Sequence, residues 1–147
     1  MSFDCQSEVD KILATYHRDT SRLLALALAR FDKFPSGVLN ELRAAMTHMA
    51  RARHGGLSDE AREAQCKKAA THIDRATIDC LKVLVIVTLQ DIHGRIADRR
   101  KWFPLSANEM RQYDEVVALR EEISVRESHE GDAGKTRVEY MQLYVKL

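Results

Sequence analysis

Two residues five positions apart, Arg43 and His48, carry side chains suited to chemistry on a phosphate ester. An arginine offers a permanent cation to phosphate oxygens, and a histidine moves a proton near neutral pH. A second set, Lys68, His72, Arg75, Asp79 and Lys82, falls within about one quadrant of a helix at ~100° per residue. This polar stripe adjoins the most apolar run of the chain, Val83 to Leu89. Three uses fit it: an intrahelical network with Arg75 paired to Asp79, an interface against another helix or a second copy, or a phosphate site built on His72 and Arg75. A third set, Arg95, Arg99, Arg100, Lys101 and Trp102, with Arg111 beyond, is a local basic patch beside an aromatic ring. Such a combination grips single-stranded nucleic acid, and cations at a helix C-terminus also complement its dipole.

Other chemistries lack their residues. No H-E-x-x-H is present, and His72 with Asp79 supplies too few ligands for zinc, so no metal or cofactor is expected. No G-x-x-x-x-G-K-[ST], G-x-G-x-x-G or G-x-S-x-G occurs. Gly131 to Thr136 has the look of a phosphate loop but lacks the first glycine at the required spacing. Cys5, Cys66 and Cys80 are odd in number and widely spaced, which argues against a disulfide framework and for a reduced, cytoplasmic setting.

The Arg43 to His48 segment resembles the R-x4-H motif of HEPN-type domains, a family of small all-helical proteins. The resemblance implies an RNA-binding domain or a metal-independent ribonuclease, in which Arg43 binds phosphate and His48 assists attack by a 2′-hydroxyl. It also implies two copies meeting across a homodimer. The match covers this hexapeptide and the helical layout around it.

The elements that must position these residues are helices. From about Ser7 to Asp32, Val9, Ile12, Leu13, Tyr16, Thr20, Leu23, Leu24, Ala27, Leu28 and Phe31 recur at helical spacing, and Phe34-Pro35-Ser36-Gly37 ends that run. A second helix, Ser36 to His54, takes Ser36 as its N-cap, Leu39, Leu42, Met46, Met49 and Ala50 as its buried stripe, and Gly55-Gly56 as its stop. On it His48 lies ~140° from that stripe, facing water or a partner. A third helix runs from Ser58 to Phe103 without a proline, with Ser58 as its cap and Asp59 and Glu60 in its first turn. Gly94 is the expected bend, because glycine weakens a helix interior by about 1 kcal/mol. Ser106-Ala107-Asn108-Glu109 matches a capping box and opens a fourth helix to about His129. The tail, Val138 to Leu147, is apolar enough to pack. It reads as a helix, although its residues also suit a strand, and it stops in mid-pattern as a longer chain would.

The whole is one helical domain over residues 1–147, with a core bundle over about 7–103 and a C-terminal hairpin over about 106–147. Its class is an all-α antiparallel bundle of four to five helices around one long central helix. A net charge of +1 excludes bulk attraction to nucleic acid or acidic membranes. No basic segment followed by an apolar core opens the chain, and its longest apolar run is too short to span a bilayer. The expected function is a non-enzymatic interaction module that docks a protein partner or its own copy through the polar-striped third helix. The alternative is the HEPN-like RNA-binding or ribonuclease domain.

Overall fold

The computed structural model describes residues 3–30, 35–54, 56–100, 104, 106–130 and 133–146, and every element among them is helical. Phe31 and the Gly55 stop lie outside these residues, as do Lys101, Trp102, Phe103, Gly131 and Leu147. The helices are α1 (Cys5–Thr15), α2 (Ser21–Arg30), α3 (Ser36–Arg53), α4 (Asp59–Arg100), α5 (Ala107–Glu130) and α6 (Ala133–Lys146). The tail is therefore helix, and the architecture is an all-α bundle with one long helix. No helix among the described residues is long and apolar enough to cross a membrane.

The chain divides within α4 into two compact units, Met1–Cys80 and Leu81–Leu147. In the first, the single helix expected from Ser7 to Asp32 is interrupted. Tyr16–Thr20 form a π-helical turn between α1 and α2, with Ser21 N–H bonded to the Tyr16 carbonyl. This turn carries Thr20, fully buried, onto the hydroxyl of Thr77 in α4 at 2.8 Å. Thr77 donates its own proton to the Ile73 carbonyl, so Thr20 is the donor between the two.

Val9 and Ile12 of α1, Ala45 and Ala52 of α3, and Cys66, Ala69 and Ile73 of α4 form one buried cluster. Leu42 and Met49 pack at its edge. This corrects the stripe expected for α3. The buried positions are Val38, Ala45 and Ala52, whereas Leu39 and Met46 stand 56% and 68% exposed. Reading burial from the largest apolar residues misplaces the face by about one position, because the seam with α4 is built from small side chains that let two helix backbones approach closely.

The N-terminus of α3 also departs from expectation. Pro35, not Ser36, holds the N-cap position, and it makes no side-chain capping bond. Asp79 of α4 lies there instead: a Cβ on Gly37, the second residue of α3, would meet its Oδ2 at 2.9 Å. A carboxylate at this end is favoured by the unsatisfied N–H groups and the helix dipole. Ser58 caps α4 as expected, its Oγ accepting from Ala61 N–H at 3.3 Å. Gly94 does not break α4, which continues as helix to Arg100.

In the second unit α5 packs on α6 as the expected hairpin. Ile123 of α5, Tyr140 and Leu143 of α6, and Leu81, Leu84, Val85 and Leu89 of α4 are buried. The capping box at the start of α5 is complete. Ser106 N–H and hydroxyl donate to Glu109 Oε2 at 2.9 and 2.7 Å, and Glu109 N–H donates to Ser106 Oγ at 3.3 Å. These bonds, with Arg99, hold the Glu109 carboxyl down at about 2.

Candidate functional site

The α3–α4 seam brings together two histidines that sequence reasoning assigned to different sites. His48 on α3 and His72 on α4 stack, with ring centroids 5.2 Å apart and planes 11° from parallel. Each ring is also held at its edge, through Nδ1, by a side chain of the facing helix. Glu41 Oε2 of α3 accepts from His72 Nδ1 at 2.6 Å, and Gln65 Oε1 of α4 pairs with His48 Nδ1 at 2.7 Å. Because a carboxylate only accepts, the His72 Nδ1 carries a proton in this contact. Both rings are half-buried.

Antiparallel packing explains the crossed pairing. Glu41 and His48 are seven residues apart on α3, and Gln65 and His72 seven apart on α4, so each pair shares one helix face. When the two faces meet in opposite directions, Glu41 comes to His72 and His48 to Gln65. His48 therefore lies at the seam and not toward water, which corrects the orientation expected from the misplaced α3 stripe.

Arg43 is not brought to His48. Five residues are ~140° around a helix, and Arg43 is exposed on the outward side of α3. The α4 stripe is split in the same way. His72 is held by Glu41, Asp79 lies against Gly37, and Lys82 Nζ stands 5.9 Å from the centre of the Tyr140 ring. Lys68 and Arg75 are exposed. The expected Arg75–Asp79 pair is absent among the described residues, since Asp79 turns to the α3 terminus instead.

The basic cluster lies in the second unit. Arg95 and Arg99 line an open cleft of about 310 Å³ with Leu89, Ile96, Tyr113 and Lys146. Arg99 is taken up by Glu109 in an ion pair. Arg100 is the last residue of α4, and the remaining two members, Lys101 and Trp102, lie outside the described residues.

The two buried thiols, Cys66 and Cys80, are not set up as nucleophiles. Burial pushes Cys80 up to about 12, with a smaller push from Asp79, and burial together with the neighbouring Cys5 pushes Cys66 up to about 11. Among the described residues no group of three His, Cys, Asp or Glu side chains is placed to hold a metal ion.

The outward side of α3 carries the other feature that sequence reasoning missed. Leu39 and Met46, seven residues apart, present one exposed apolar edge, and Arg43 and Arg53 flank it. The signal was present as the very stripe assigned to the core. No family model, no curated protein and no solved structure matches the chain.

Proposed function

We propose that this protein is a non-enzymatic helical interaction module that associates with its own copy through the outward face of α3. The observation that carries this reading is the exposure of Leu39 and Met46 on one helix edge. A helix whose inward side is already packed by Val38, Ala45 and Ala52 has no internal use for a second apolar edge. Removing it from water on association is favourable by roughly 25 cal/mol per Å² of apolar surface. The polar stripe of α4 is a poorer docking surface, because His72, Asp79 and Lys82 are engaged within the chain. Replacing Leu39 and Met46 together by serine is expected to shift sedimentation toward the monomer while leaving the helical circular dichroism unchanged. Unaltered association of that variant would overturn the reading.

One observation favours a second reading, a HEPN-like domain that cleaves RNA without metal. The stacked His48 and His72, with the His72 Nδ1 held by Glu41, supply two imidazoles of the kind that accept a proton from a 2′-hydroxyl and return one to the leaving oxygen. On this reading His72 takes the place beside His48 that the motif gave to Arg43. Incubation with single-stranded RNA in EDTA tests it. Cleavage lost by about 10² or more in both His48→Ala and His72→Ala supports it, and no cleavage by the wild type removes it.

A further inference from the structure

The outward face of α5 has the charge that the outward face of α3 lacks. All the charged residues exposed on α3 are basic: Arg43, Arg51 and Arg53. On α5 the exposed positions include Asp114, Glu121 and Val125, the last 61% exposed, with Ala118 between them. Neither Arg43 nor Glu121 makes an ion pair among the described residues. At ~100° per residue, Leu39, Arg43 and Met46 fall within about 60° of arc on α3, and Ala118, Glu121 and Val125 fall within the same arc on α5.

The spacings match in one direction only. Along α3 the order is apolar, cation four residues on, apolar three residues on. Read backward along α5 from Val125, it is apolar, anion four residues on, apolar three residues on. We infer that α3 of one copy lies antiparallel against α5 of a second copy, with Leu39 against Val125, Arg43 against Glu121 and Met46 against Ala118. The small Ala118 leaves room for the long Met46 side chain, and Asp114 falls near Ala50, within a turn of Arg53. Pairing α3 with α3 would set arginines against one another, and pairing α5 with α5 would set carboxylates together, both costly once partly desolvated.

This inference rests on the reading of the chain as a self-associating module, and reversed charges separate the two. Arg43→Glu and Glu121→Arg, both at exposed positions, are each expected to weaken self-association about a hundredfold, because each sets like charges together in the α3–α5 contact. An equimolar mixture of the two variants is expected to regain the two-chain mass, since every contact between unlike variants again joins opposite charges. The Arg43→Glu/Glu121→Arg double variant should regain it alone. Circular dichroism confirms that each variant folds. If the wild type associates and the variants associate equally well, or the mixture stays monomeric, the α3–α5 pairing is overturned while the module reading stands. A wild type that sediments as a monomer overturns both.

Discussion

His48 and His72 lie face to face across the α3–α4 seam, 5.2 Å between ring centres, although 24 residues separate them in the chain. Neither ring is positioned by the stack alone, since Glu41 and Gln65 each fix one Nδ1 from the facing helix. The four side chains form a crossed polar clasp beside a buried cluster that α3 and α4 build from Ala45, Ala52, Cys66, Ala69 and Ile73. Their contributions should therefore be coupled. In a double-mutant cycle of His48→Ala and His72→Ala followed by urea unfolding, a coupling of about 0.5–1.5 kcal/mol is expected, the range of aromatic pairs. Additive losses would mean that the rings stack without stabilising one another.

Gly37 and Asp79 give a second coupled pair. Alanine in a helix is normally better than glycine by about 1 kcal/mol. At Gly37 the added Cβ meets Asp79 Oδ2 at 2.9 Å and displaces the carboxylate from the α3 terminus. Gly37→Ala should stabilise the Asp79→Ala protein by about 1 kcal/mol and give clearly less in the wild type. Thermal or urea midpoints of the four proteins measure this. An equal gain in both backgrounds would show that Asp79 does not occupy that end of the helix.

Much of the fold was legible because its signals are local. The capping box at Ser106 and Glu109, the Ser58 cap and the helical periodicity on both sides of each each depend on neighbours within a turn or two. What was not legible depends on which small residues let helices approach. Ala45 and Ala52 carry the α3 seam while Leu39 and Met46 do not, and hydrophobicity alone ranks them the other way. The same error hid the candidate site: with the α3 stripe misplaced, His48 pointed away from α4. The seven-residue spacings of Glu41 with His48 and of Gln65 with His72 were readable, but their meeting required knowing that α3 and α4 pack antiparallel through those faces. The π-helical turn at Tyr16–Thr20 had no readable signal, since Thr20 is an ordinary residue until it meets Thr77.

Glu109 yields a pH dependence. Its carboxyl is held at about 2, below the ordinary 4.5, first by the Ser106 hydroxyl, then by the Ser106 backbone and Arg99. A folded-state value below the unfolded one means that this capping box stabilises the fold above about pH 4.5 and loses its effect as the pH falls through about 2. Wild type and Glu109→Gln should differ in urea midpoint at neutral pH and converge on acidification across that window. A difference that does not change with pH would place the effect of Glu109 in something other than its charge.

Self-association of the chain is tested most directly by sedimentation equilibrium of the unmodified protein at micromolar concentration. The prediction is a mass twice that of the 16.8 kDa chain, falling toward the single-chain mass as salt screens the Arg43–Glu121 contact. A single-chain mass throughout the concentration range would contradict it.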